Sequence, residues 1–223
     1  MKQNSKLHLT VDNISLDNVQ EHKLLGVYID NHLKWQPQIN YVCKKLNSKI
    51  TLLKHVYYYL TDEMRQMYYN AYILPIFDYC CHIWGKDNKS HIKRVKTLQT
   101  RTAKIILKLP KYSSTTNLFK KLNWLSFTER CKYHCDTLTF KILNGKAPSY
   151  MSELLTIAAN NHYSLRSISN QSLILKQLPK TNYYKDSFTY YSTKTWNEIS
   201  KDIRNSDSLN NFKRRYKSFL MTK

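Results

Sequence analysis

The sequence predicts a mainly α fold: short N-terminal β-hairpins or strands, then a helical bundle, then an α-rich C-terminal extension. Three observations carry that reading. Strand-like segments stop at Asp30, apolar residues beyond Trp35 recur every three and four positions, and several periodic segments begin at residues that suit helix caps.

Leu7 to Val11 alternates apolar and polar, Asp12-Asn13 supplies a turn, and Ile14-Ser15-Leu16 returns as a second short strand. Leu24 to Asp30 is the strongest strand candidate, with Gly26 marking a bulge or a close backbone approach. A first long helix is expected from about Pro37 to Leu60. Pro37 suits a first turn, and Ile39, Val42, Cys43, Leu46, Ile50, Leu53 and Tyr57 make one apolar stripe. A second helix opens at Thr61, a good N-cap followed by Asp62 and Glu63. It runs toward Trp84 with a kink or break at Pro75 and ends at Gly85.

The third helix, about Ser90 to Leu109, is the most polarised. At 100° per residue Ile92, Val95, Leu98, Ile105, Ile106 and Leu109 fall on one side. Lys93, Arg94, Lys96, Arg101, Lys104 and Lys108 fall on the other, and no acid lies between Asp87 and Glu129. An ordinary solvated helix mixes signs to gain i,i+4 pairs; this one forgoes them. The polar stretch Lys111 to Asn117 is a candidate boundary. Ser126-Phe127-Thr128-Glu129 reads as a capping box, opening a helix to about Leu143 that Asn144-Gly145 closes. A short helix follows Ala147-Pro148, residues 160–185 are polar and irregular with Ser172 to Leu175 extended, and further helices are expected at about 188–200 and 208–221.

Charge narrows the class of partner. The chain has 36 Lys and Arg against 15 Asp and Glu, a formal net charge of +21. The excess is distributed: residues 1–111 hold 18 basic and 8 acidic side chains, residues 112–223 hold 18 and 7. Like charges at this density repel one another in a compact state, and a nucleic acid that neutralises them is the usual reason for their presence. An AT-rich coding bias accounts for Lys over Arg but not for the shortage of acids. No apolar run approaches bilayer length, so no membrane partner is expected. Met1 to Lys6 carries no secretory signal, and five irregularly spaced Cys fit a reducing compartment; an intracellular place, nucleus or cytoplasm, is expected.

Catalytic chemistry is sparse. Cys80-Cys81-His82 point in different directions on a helix, and Cys131, His134 and Cys135, though able to share a face, lack a partner pair to complete a zinc site. The three glycines are isolated, so no phosphate-cradling loop is present, and no Asp-Asp pair offers a two-metal centre. Asp78, among apolar neighbours, reads as a paired or capping carboxylate. The expectation is no catalytic residue, no metal and no cofactor.

His22 to Asp30, then Leu33, Trp35 and Ile39, resembles the end of the palm and start of the thumb in reverse transcriptases of non-LTR, LINE-type retrotransposons, most like the jockey and CR1-like groups. Tyr72 to Pro75, Asp78-Tyr79-Cys80 and Trp84 resemble the family's post-thumb helix, and Leu98-Gln99, Arg101 and Ala103 to Ile106 its next one. Leu165-Arg166, Phe188, Trp196-Asn197, Ile203-Arg204, Leu209 and Phe212-Lys213 resemble its C-terminal end. One position where the family usually has His is Gln38 here.

The resemblance implies three parts: residues 1–34 resembling the palm end and primer grip, 35–111 a basic helical thumb-like domain, and 112–223 a mostly helical extension. Leu25, Gly26 and Val27 would belong to the primer grip, the hairpin that positions the growing 3′ end. Lys44, Lys45 and Lys49, with the basic face of the third helix, would contact phosphates of an RNA–DNA or DNA duplex without sequence preference. The family's catalytic palm lies upstream of these motifs. The chain is therefore expected to be a C-terminal, non-catalytic fragment of an RNA-directed DNA polymerase. The alternative is a helical interaction module that docks on the missing polymerase half or another protein.

Overall fold

A computed structural model describes residues 9–86, 90–115, 117–157, 172–175 and 177–222. Leu7, His8, Leu165 and Arg166 lie outside the described residues, as does the whole stretch 158–171. The architecture is mainly α with short antiparallel strand pairs, as the sequence predicts.

Strand β1 (Thr10–Val11) pairs with β2 (Ile14–Ser15), and β3 (Glu21–Leu24) pairs with β4 (Val27–Asp30). Both hairpins close through two residues with positive φ, Asp12-Asn13 and Leu25-Gly26, the turn geometry that matches strand twist. Gly26 therefore sits in a turn, not at a bulge. Asp30 ends β4 and turns the chain toward the first helix. Its carboxylate accepts from the backbone of His32 at 3.0 Å, Lys34 at 3.1 Å and Trp35 at 2.7 Å. Burial pushes its pKa up, and those amide donors more than offset this and hold it below the usual value.

Helix α1 (Gln36–Val56) buries the predicted stripe from Ile39 to Leu53. It stops short of Leu60, and the reason is Arg65. This buried guanidinium on α2 (Asp62–Tyr68) donates to the carbonyls of Tyr57 at 3.0 Å and Leu60 at 2.7 Å, fixing the chain in a turn after α1. The Thr61 hydroxyl caps α2 by accepting from the Met64 amide at 3.3 Å.

The single helix expected from Thr61 to Trp84 is divided. A π-turn (Tyr69–Ile73) leads into α3 (Leu74–Asp78), the wider register accommodating Pro75, which has no N–H for the carbonyl one turn back. The chain breaks at Tyr79-Cys80, where Cys80 is left-handed with φ 52°, before α4 (Cys81–Trp84). Gly85 allows a close approach that any side chain would block. A Cβ there would lie 2.5 Å from the Cys81 carbonyl oxygen, 2.6 Å from Cys131 Sγ and 2.8 Å from the Phe127 ring.

Helix α5 (Ile92–Ile106) packs along α1, and α6 (Leu118–Lys121) follows the polar stretch. Helix α7 (Phe127–Leu143) begins at the predicted capping box, with Ser126 and Glu129 each bonding the other's backbone. A 3₁₀ turn (Ser149–Leu154) precedes β5 (Thr156–Ile157), which pairs with β6 (Leu173–Ile174). Four helices complete the chain: α8 (Asn182–Lys185), α9 (Phe188–Asn197), α10 (Lys201–Arg204) and α11 (Leu209–Thr222).

Two apolar cores result, and α7 serves both. The first joins Val27, α1, α3, α4 and α5 and continues through Leu118, Leu122, Trp124 and Phe127 to Cys131. The second gathers Phe140 and Ile142 of α7 with Trp196, Phe212, Tyr216 and Leu220. Within it Asp136 is fully buried, accepting from the Thr195 hydroxyl at 2.7 Å and from the Tyr216 hydroxyl. Burial raises its pKa to about 7, against the two hydroxyls and Lys132, which favour the charged form.

Two stability predictions follow from these buried polar groups. Arg65→Ala should cost about 3 kcal/mol in urea unfolding, because it strips a charged donor from several carbonyls and leaves them unsatisfied. Arg65→Lys should recover only part of that loss, since one ammonium cannot span both helix ends. Asp136 holds its proton in the folded state up to about pH 7 but loses it near 3.8 when unfolded. Its stabilising contribution is therefore complete below pH 3.8 and declines as pH rises toward 7, by about 1.4 kcal/mol per unit. Asp136→Asn should abolish that decline and be the more stable form at pH 8, read from urea midpoints across pH. His82, whose pKa burial lowers to about 4, works in the opposite direction in both proteins and cancels in the comparison.

Candidate nucleic-acid interface

Neither α1 nor α5 contains an acidic residue, yet the two pack side by side. Their apolar stripes face inward, so their cations are displaced to the outer surfaces. Arg94 on α5 donates to the Asn40 side chain on α1 at 2.7 Å and cross-links the pair. Between them runs a groove of about 370 Å³ lined by Cys43, Asn47, Ser90, Lys93, Arg94, Thr97 and Leu98.

The nine predicted cations separate by what they touch. Lys44, Lys93 and Arg101 are exposed, and their side chains have no partner among the described residues. Arg94 is exposed and held by Asn40. Lys45 lies over the Tyr41 ring at 4.6 Å and lowers that phenol's pKa by hydrogen bonding. Lys49 and Lys96 are half-buried, with the Lys49 ammonium 5.8 Å from the Tyr72 ring.

Two of the nine do not stand on a free basic face. Lys104 donates to the carbonyls of Lys111 at 2.8 Å and Ser113 at 2.7 Å, fastening the loop after α5. Lys108 falls beyond the end of α5, in a left-handed conformation with φ 53°, its ammonium 6.0 Å from the Tyr58 ring. The predicted helix runs three residues past the observed end, to Leu109. The helix stops at Ile106, whose carbonyl accepts from Arg65 Nε at 3.0 Å.

Leu25, Gly26 and Val27 form the tip of the β3–β4 hairpin. Leu25 is 84% exposed, while Val27 is buried in the first core. The Tyr79 hydroxyl donates to the Leu25 carbonyl and lies against Gly26, so the break after α3 supports the hairpin tip. The hairpin is joined to α1 by Gln38, which is 1% exposed and accepts from the Tyr28 amide at 3.0 Å.

With this geometry in place the chain can be compared with known proteins. It is 25% identical over 129 residues to a Drosophila melanogaster protein named "Probable RNA-directed DNA polymerase from transposon BS". It is 24% identical over 131 residues to another from that organism, "Probable RNA-directed DNA polymerase from transposon X-element". Each match covers 56% of this chain. The matched part of the chain is similar to RNA-directed DNA polymerases of transposons. It spans about one seventh of the length of these curated relatives, 14% in each case. No family model and no solved structure matches the chain.

The sequence does not single out Arg65, and it marks Tyr79 and Gln38 only through the resemblance, without the contacts they make. Arg65 stands on a short helix with no charge pattern to single it out, and its acceptors lie up to 41 residues away. Gln38 gave a signal, since a polar residue stands beside Ile39 at the start of the buried stripe. Among the described residues, the metal-type donors that converge are Asp78, Cys81 and His134, a different set from Cys131, His134 and Cys135. No described helix is long and apolar enough to cross a membrane.

Gly26 has φ +82°, and an added Cβ would lie 3.4 Å from Tyr79 Oη. Gly26→Ala should destabilise the hairpin by about 1–2 kcal/mol, the usual cost of left-handed backbone for an L residue. Hydrogen exchange should show faster β3 and β4 amides with α5 unchanged.

Proposed function

We propose that this chain is a non-catalytic C-terminal part of a retrotransposon RNA-directed DNA polymerase, which holds template–primer duplex through phosphate contacts. The observation that carries the reading is the acid-free α1–α5 pair, with Lys93 on its groove and Lys44, Lys93 and Arg101 exposed and without a side-chain partner among the described residues. Phosphate contacts of this kind position a duplex and read no sequence. The hairpin tip at Leu25-Gly26-Val27 stands at the primer-grip position of the resemblance. The five cysteines are all free thiols, which supports an intracellular, reducing location.

Binding of a labelled RNA–DNA hybrid should weaken steeply with salt and change little with sequence. Combined Lys44→Ala, Lys93→Ala and Arg101→Ala should reduce the slope of log K against log salt by about 2–3, on roughly 0.9 per phosphate contact. Lys104→Ala should leave that slope unchanged, since its ammonium is occupied by two carbonyls. A salt-independent Kd, or a slope untouched by the triple substitution, overturns the reading. Primer extension with Mg²⁺ should yield no product, and extension by the purified chain would overturn the non-catalytic part.

A second reading has its own observation. Val11, Ile14, Leu16, Val19, Leu24 and Leu25, on the two hairpins and the segment joining them, are all more than half exposed, an apolar surface that suits docking on the polymerase palm. That reading predicts salt-insensitive binding to a separately produced palm and negligible affinity for duplex.

A further inference from the structure

The break between α3 and α4 and the middle of α7 each present two sulfur, nitrogen or oxygen donors three residues apart. Asp78 and Cys81 span the break, and Cys131 and His134 lie one turn apart on α7. Packing of α3 and α4 against α7 brings the two pairs together. A carboxylate oxygen of Asp78, Cys81 Sγ and an imidazole nitrogen of His134 all lie within 4.8 Å of one another.

We propose that Asp78, Cys81 and His134 bind a zinc-class divalent cation, with water in the fourth position. The donor set mixes carboxylate, thiolate and imidazole, which suits zinc and excludes magnesium or calcium. Tetrahedral zinc with ligands at about 2.0–2.3 Å places neighbouring donors about 3.3–3.8 Å apart, so side-chain rotations of about 1 Å close the site. His134 Nε2 is buried, lies 3.2 Å from Asp78 Oδ1, and makes no hydrogen bond, so its direction is not that of a donor to the carboxylate. A buried ring nitrogen that lies against a carboxylate without hydrogen-bond geometry, and beside a thiol, is one that a metal would satisfy.

Outer contacts are also in place. Arg130 donates through two nitrogens to the two oxygens of Asp78 and so orients that carboxylate. The Cys131 thiol hydrogen-bonds to the Cys81 sulfur. Both contacts are of the kind that orient and tune metal ligands. Binding forms a metal–sulfur bond at Cys81 and releases its thiol proton to solvent. The dication, one carboxylate and one thiolate then balance, with Arg130 as the remaining charge. The side chains of Asp78 and His134 are 22% and 31% exposed, which gives the ion a way in. The bound ion would tie α3 and α4 to α7.

The test is a titration of the purified, reduced full chain with Co²⁺, followed by absorption. A thiolate-to-cobalt charge-transfer band with tetrahedral-type d–d bands should saturate at one ion per chain and vanish on adding Zn²⁺. Cys81→Ser should abolish the charge-transfer band. Cys131→Ser should keep the band but weaken binding by about 10–100-fold, the usual effect of removing an outer contact. Cys81 is buried and its replacement endangers the fold, so His134→Asn, at a partly exposed ring, is the deciding variant. It should retain native circular dichroism and lose at least about 10-fold in cobalt affinity. No band from the natively folded chain at saturating Co²⁺, or a band unaffected by His134→Asn, overturns the proposal.

Discussion

Arg65 is the constraint on which the arrangement of basic helices depends. Its guanidinium reaches the carbonyl of Ile106 at the end of α5 and those of Tyr57 and Leu60 just past the end of α1. Carbonyls at helix C-termini lack intrahelical partners and carry the negative end of the helix dipole, so one buried cation satisfies both ends. Asp62 supplies the counter-charge. The ends of α1 and α5 are thereby held at one point, and the groove between the two helices keeps its width.

That clamp matters because α1 and α5 repel each other electrostatically. Neither has an acid to offset its lysines and arginines, and burial of their shared stripe supplies the compensating attraction. The Arg94–Asn40 bond removes one cation from direct repulsion. Lys104 spends its charge on two carbonyls. Lys44, Lys93 and Arg101, exposed and without a side-chain partner among the described residues, keep positive charge that no acid on their own helices offsets.

Helix α7 connects this basic unit to the rest. Its N-terminal half packs Phe127 and Cys131 against Trp84 and Gly85, while its C-terminal half packs Phe140 against Trp196 and Phe212. The Arg130–Asp78 pair binds the two halves of the chain at the point where the first core ends. Asp136, one turn and a half further on, is the corresponding polar anchor of the second core. A helix with apolar residues on two faces shows a weak single stripe in sequence, so its dual role is hidden there.

Local chemistry was legible in the sequence. The capping box at Ser126, the Thr61 cap, the end at Asn144-Gly145, the buried stripe of α1 and the mainly α class all depend on residues within a turn or two of each other, where spacing alone sets which groups meet. Composition likewise determined the excess of positive charge. Only the tertiary structure decided which of those charges are free, where helices stop, and which side chains converge. Lys104 and Lys108 look like Lys93 on a wheel, yet two loop carbonyls hold the first and the helix ends before the second. Asp78 meets Arg130 across 52 residues and His134 across the same contact, and no periodicity encodes a meeting at that separation. Such contacts exist only once the apolar stripes have chosen their partners and packed.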